Sequence, residues 1–113
     1  MHIGEHIRGD VAVVALSGGL HDEEDGTVLE QKIISLTADN IRKIVFDLGK
    51  LNSVNSQGIS SLLRAVKSVR TQGGDIRLAG LDEHLENIFA KTRLVRIFDT
   101  YETVDRAMAS YIH

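Results

Sequence analysis

The sequence predicts an α/β domain built on a mixed sheet, and three observations carry that reading. Short β-branched runs alternate with helix-period segments along most of the chain. Two strand signals at the start are joined by the turn dipeptide Gly9-Asp10 and so form a hairpin. The run Ile44-Val45-Phe46-Asp47-Leu48 is apolar on both faces up to Asp47, which marks a central strand.

Each element follows from local pattern. His2, Gly4 and His6 alternate with Ile3, Glu5 and Ile7, as in a half-exposed strand. Residues 11–16 form the second strand. Asp22 is placed to cap a helix whose first turn holds Glu23, Glu24 and Asp25, where negative charge is favoured. Leu29, Ile33 and Leu36 recur at helical spacing, and Gly26 weakens that helix near its start. After the strand at 44–48 and a polar loop, a second helix begins at Asn55 or Ser56. Ile59, Leu62, Leu63, Val66 and Val69 form its inner stripe, and Gln57, Ser60, Ser61, Arg64, Lys67 and Ser68 face outward. Gly73 or Gly74 ends it in a left-handed cap. Residues 76–79 make another strand. Asp82 caps a third helix with Leu85, Ile88 and Phe89 inward. Ile97-Phe98 reads as a short strand, and Thr103 opens a last helix carrying Val104, Ala107, Met108 and Tyr111. The expected sheet has about five strands, packed by about four helices. Residues 1–113 read as one domain, with no linker, repeat or low-complexity tract.

Composition narrows the function classes. The 113 residues are 26% charged and 42% hydrophobic, a globular balance. A net charge of −3 and the absence of Trp argue against a nucleic-acid binder. Without Cys there is no disulfide, thiolate nucleophile or zinc–thiolate site. His2, His6, His84 and His113 lack ligand spacing, so no metal is expected. No P-loop, GxGxxG or GxSxG motif occurs, and no catalytic residue or cofactor is expected. No apolar stretch is long enough to span a bilayer, and the N-terminus lacks a signal-peptide build. The expected setting is the reducing cytoplasm.

Ser56 is the residue of most interest. It stands at the first turn of a helix, just past the carboxyl end of a buried strand. Backbone N–H groups there lack intrahelical partners, and the helix dipole favours negative charge. Such a site tolerates a phosphate. Position alone favours a serine that only caps the backbone.

A family resemblance reverses that preference. Phe46-Asp47-Leu48 followed by Asn55-Ser56-Gln57-Gly58-Ile59 resembles the signature of STAS domains, which include the bacterial anti-sigma-factor antagonists. Leu16-Ser17-Gly18-Gly19-Leu20 resembles the family's lead-in to its first helix, and Gly73-Gly74-Asp75-Ile76-Arg77-Leu78 its return to the next strand. Residues 94–98 resemble the turn near its C-terminus. The resemblance implies a STAS-like fold and a domain that performs no chemistry of its own. It implies partner switching: docking on an anti-sigma factor that is also a serine kinase, release on phosphorylation of Ser56, and restoration by a phosphatase. The partner face expected from it comprises Asn55, Ser56, Gln57, Ser60, Ser61, Arg64 and the loop at His21.

The chain departs from the family pattern in places. Asn55 stands where the family usually has Asp, Gln57 where it has a small Ser or Thr, Gly19 where it has Glu, His21 where it often has Asp, and Arg93 where it has Gly. Two rival readings stay open. One is a non-switching STAS subunit of a transport or lipid-trafficking complex, which the changes at Asn55 and Gln57 favour. The other is a small-ligand or nucleotide binder at the strand ends.

Overall fold

In the computed structural model, which describes residues 1–111, ten elements follow one another. Strands β1 (His2–Arg8) and β2 (Val11–Leu20) form the expected antiparallel hairpin. Gly9 takes φ +62° in its turn, a conformation that suits glycine. Helix α1 (Glu23–Ala38), strand β3 (Lys43–Val54), helix α2 (Ser56–Thr71), strand β4 (Asp75–Ala79) and helix α3 (Glu83–Lys91) come next. A 3₁₀ turn at Leu94–Arg96, strand β5 (Thr100–Tyr101) and helix α4 (Val104–Ala109) complete the order. The strands lie in chain order across one sheet, and every pair after the hairpin is parallel.

Alternation along the strands builds two cores. Ala12, Val14 and Leu16 of β2, with Ile44, Phe46 and Leu48 of β3 and Ile76 and Leu78 of β4, pack against Leu29, Ile33, Leu62, Val66, Val69 and Phe89 from α1, α2 and α3. On the other face, Val11, Val13, Val45 and Ala79 pack against Ala107 and Tyr111. Burial on both faces is why Ile44-Val45-Phe46 reads as an unbroken apolar run. The Tyr111 hydroxyl lies 2.9 Å from the carbonyls of Ile44 and Asp75, and burial raises its phenol above the ordinary range. Truncating any of the fully buried leucines is expected to cost about 2–5 kcal/mol.

The helix boundaries follow the caps read from sequence. Asp22, Asn55, Asp82 and Thr103 each accept the backbone N–H three residues on. Gly73, at φ +85°, ends α2, with Gly73 N–H bonded to Arg70 and Gly74 N–H to Val69.

Two strand expectations need correction. β2 and β3 run past 16 and 48, to Leu20 and Val54. Register shifts between Ala15 and Ser17, and again between Gly18 and Gly19, let the polar tail of β2 pair with Lys50, Leu51, Ser53 and Val54. Ile97-Phe98 is not a strand. Arg93, left-handed at φ 60°, starts the 3₁₀ turn, and Phe98 N–H folds back onto the Leu94 carbonyl. Phe98 is buried with its ring 5.9 Å from that of Phe89, while Ile97 is exposed, so this apolar pair anchors a turn. Pairing with β4 comes later, at Thr100–Tyr101.

Candidate functional site

The site forms where the extended tails of β2 and β3 deliver the chain into α1 and α2. Asn55 caps α2, its Oδ1 accepting Gly58 N–H at 2.9 Å. Its Nδ2 also donates to the His21 carbonyl at 2.9 Å. One side chain thus fastens the β3–α2 junction to the β2–α1 loop. Gly58 is required by the close approach behind it, since a Cβ there would collide with the Leu20 carbonyl oxygen and stand 2.7 Å from Val54 Cγ2.

His21 is held from three sides. Its backbone N–H donates to Asp25 Oδ2 at 3.0 Å, its carbonyl accepts from Asn55, and its ring Nε2 lies 2.5 Å from Ser53 Oγ. The ring folds back over Gly19, where a Cβ would overlap it. The departures at Gly19 and His21 therefore go together. The His21 N–H holds the Asp25 carboxyl below its ordinary range; partial burial opposes this, and the Met1 amino group, 3.3 Å away, adds to it.

Ser56 is the first residue of α2 and is exposed, as are Asn55, Gln57, Ser60, Arg64 and His21. Ser60 Oγ donates to the Ser56 carbonyl at 3.1 Å. The first turn of α2 contains no acidic residue, whereas those of α1, α3 and α4 contain Glu23, Glu24 and Asp25, then Glu83 and Glu86, then Asp105. The partial positive charge at the start of α2 is therefore not offset from its own first turn.

Ser61 corrects the sequence reading. It is 4% exposed and lies beneath the face that was expected to include it. Helix α1 presents Gly26 there, where a Cβ would stand 2.6 Å from Ser61 Oγ. Ser61 instead donates to the Gln57 carbonyl and accepts from Arg64 Nη2 at 3.3 Å. Beside it a cleft of about 190 Å³ runs between the helices, lined by Gly26, Ile33 and Ile34 of α1 and Ser61, Arg64 and Ala65 of α2.

Sequence reasoning missed Ser53 and the tethering role of Asp25. Asp25 shows only as one of four consecutive acids, and nothing local marks Ser53 as the partner of His21. His2, His6 and His84 are exposed, and His113 lies outside the described residues. Among the described residues, no group of three His, Cys, Asp or Glu could hold a metal, and no helix is long and apolar enough to cross a membrane.

A five-stranded mixed sheet after an N-terminal hairpin, with the signature serine opening the helix after β3, defines the class. The chain belongs to the STAS domain family, whose model matches residues 5–107. It is 24% identical over 102 residues to the "Putative anti-sigma factor antagonist BtrV" of Bordetella bronchiseptica, covering 90% of this chain and 88% of that protein. Among solved structures it resembles an anti-sigma factor antagonist from Mycobacterium paratuberculosis, at TM-score 0.83 and 24% identity, over 96% of this chain and 92% of that one. The Bacillus cell fate determinant SpoIIAA in its phosphorylated form aligns at TM-score 0.73 and 15% identity, over 97% and 99% of the two chains. These structural likenesses speak to fold.

Proposed function

We propose that this domain is an anti-sigma factor antagonist that works by partner switching. In its unphosphorylated state it docks on an anti-sigma factor that is also a serine kinase, through Asn55, Ser56, Gln57, Ser60, Arg64 and the His21 loop. The kinase transfers a phosphoryl group to Ser56 Oγ, the partner leaves, and a phosphatase resets the domain. The domain catalyses nothing itself and acts in the cytoplasm.

The observation that carries this reading is the exposed Ser56 on a helix start without a first-turn acid. A phosphoserine there adds roughly −1.5 to −2 charge where the dipole accepts it, so the fold tolerates the modification. The same charge in the middle of a docked interface opposes binding by repulsion and desolvation. A relative named as an antagonist and a fold neighbour solved in phosphorylated form support it.

The test pairs Ser56→Ala with Ser56→Glu. Partner captured from the native cell and identified by mass spectrometry serves as ligand, with ATP present or absent. The expected outcome is that Ala binds in both conditions, wild type is released by ATP, and Glu binds at least tenfold more weakly while circular dichroism stays unchanged. Equal affinity of Ala and Glu would move the interface away from Ser56. That result would favour the second reading, a constitutive STAS subunit of a transport or lipid-trafficking complex. One observation leans that way: the Asn55 amide is committed to structure by its bond to His21.

A further inference from the structure

Helices α1 and α2 lie side by side, with Gly26 of α1 against Ser61 of α2. Their charges are opposite. Residues 23–38 carry four acids and one lysine, and that Lys32 is paired with Glu5 of β1. Residues 56–71 carry three cations, Arg64, Lys67 and Arg70, and no acid. Glu30 and Arg64 line the same cleft, yet among the described residues no ion pair joins the two helices. Both charged faces are therefore left open to solvent, and Glu23, Glu24, Glu30, Arg64 and Lys67 are all exposed.

The cations of α2 are in line with Ser56. Ser56, Ser60, Arg64 and Lys67 follow at helical spacing and share one exposed stripe, about 16 Å long. Where α2 ends, Arg70 Nη2 donates to the Ile97 carbonyl at 2.7 Å, which brings the turn at Leu94–Arg96 alongside. That turn adds Arg93 and Arg96, both exposed. Arg93 holds a left-handed φ of 60°, which glycine would take at lower cost. Its side chain makes no capping bond and, among the described residues, no ion pair. The cation is kept there without a use inside the fold.

We propose that the docking surface carries two signs of charge and selects a partner with the opposite pattern. An acidic ridge of the partner lies along the Ser56–Lys67 stripe and the Leu94–Arg96 turn, and a basic patch of it faces α1. The inference rests on the partner-docking reading above and adds the chemistry of the partner's face. A nucleic acid or an anionic membrane presents one sign of charge over the whole contact, so α1 repels what α2 attracts. A folded protein carries both signs in matching places, and such complementarity speeds encounter and fixes orientation. The strip also gives the phosphate its effect. Ser56 heads it, so phosphoserine sets roughly −1.5 to −2 charge before the partner's carboxylates.

The test uses the protein that Ser56→Ala retains from the native cell, purified, and reads association by stopped flow. The double variant Lys67→Glu, Arg96→Glu reverses the strip at two exposed positions away from Ser56. It should slow association about tenfold or more at about 50 mM salt, and the deficit should largely close at about 0.5 M. Circular dichroism should be unchanged. Glu30→Lys should also slow association, because it removes a charge that the partner's basic patch meets. A faster or unchanged rate for Glu30→Lys would overturn the two-signed surface, and an unchanged rate for the double variant would overturn the strip. Tight binding of a short DNA duplex or of phosphatidylserine vesicles, lost in the double variant, would give the surface to a polyanion instead. The two readings fail separately. Equal affinity of Ser56→Ala and Ser56→Glu beside a slow double variant would end the phosphoswitch and keep the strip. A wide gap between the Ser56 pair beside a double variant that binds like wild type would end the strip and keep the switch. Retention of no protein by Ser56→Ala would remove both.

Discussion

Helices α1 and α2 are each sixteen residues long, and each starts from an Asx side chain that accepts the N–H three positions on, Asp22 from Asp25 and Asn55 from Gly58. Each also carries a buried glycine in its opening turns, Gly26 and Gly58. Their electrostatics differ. α1 surrounds its N-terminus with Glu23, Glu24 and Asp25, and α2 has no acid there and one exposed serine. Helix starts of equal geometry can thus be finished or left open. α1 compensates its dipole internally and uses Asp25 to hold the His21 loop. α2 leaves its dipole uncompensated within its own first turn. The contrast singles out the start of α2 as the one of the two whose first turn carries no compensating acid.

The glycines break the comparison most strongly. A Cβ at Gly58 would strike backbone, the Leu20 carbonyl, which cannot turn away. A Cβ at Gly26 would meet the Ser61 hydroxyl, a side-chain end that can rotate. Gly58→Ala is expected to cost about 3 kcal/mol through overpacking. Gly26→Ala should stay within about 1 kcal/mol, because helix propensity gained offsets the crowding. Urea melts of the two variants check this, and equal losses would mean that α1 is as rigidly seated at Gly26 as α2 is at Gly58.

Asn55→Asp comes next. As caps the two residues are equivalent, and by sequence alone the exchange is harmless. The structure gives the Asn55 amide a second bond, to the His21 carbonyl, that a carboxylate cannot make. An oxygen facing an oxygen there should cost about 1–2 kcal/mol, less the gain of a charge at the helix start. Hydrogen exchange at residues 19–22 should quicken while the α2 core stays protected. Asp22→Asn at α1, which has no such second bond to disturb, should leave both loops unchanged.

Much of the fold was legible because its signals are local. All four N-caps, the hairpin turn and the Gly73 cap depend on residues within a few positions of one another. The misread parts depend on distant partners. The extension of β2 to Leu20 is set by bulges against β3, which no window along β2 reveals. Ser61 lies on the outward side of a helical wheel, and its burial follows from a glycine 35 positions earlier on α1. Ile97-Phe98 has the apolarity of a strand and the role of a turn anchor, and composition does not separate the two. At the site, Ser56 and Asn55 were legible from the strand–turn–helix order. Ser53 was not, because its bond to His21 spans 32 positions across the bulged pairing.

Acid sharpens the α1 side. The Asp25 carboxyl, held below its ordinary 3.8 by the His21 N–H, contributes stability that is fully present above that value. The contribution is lost as pH falls through its folded value, since protonation weakens the bond to His21. Asp25→Asn should remove this part of the acid limb and flatten stability below about pH 4, where wild type still declines. Thermal melts from pH 3 to 7 give the comparison. An Asp25→Asn curve parallel to wild type throughout would mean that the tether does not bear on folding.

The smallest effect tests the open end of α2 itself. Ser56→Glu places a carboxylate in a first turn that has none, and should raise stability by about 0.3–1 kcal/mol at low salt. The reference is Ser56→Gln, which matches the size and rotamer freedom and lacks the charge. Their difference should shrink steadily with salt and be nearly gone at 1 M, where screening acts over about 3 Å. It should also vanish below about pH 4, as the introduced glutamate protonates. At α1 the same logic gives less: Glu24→Gln removes one of three carboxylates, and Glu23 and Asp25 still face the dipole. A salt-independent difference at Ser56 would mean that the gain comes from packing or a new hydrogen bond. No difference would mean that some other group already neutralises α2, and the phosphate would then lose its electrostatic reason to be tolerated there.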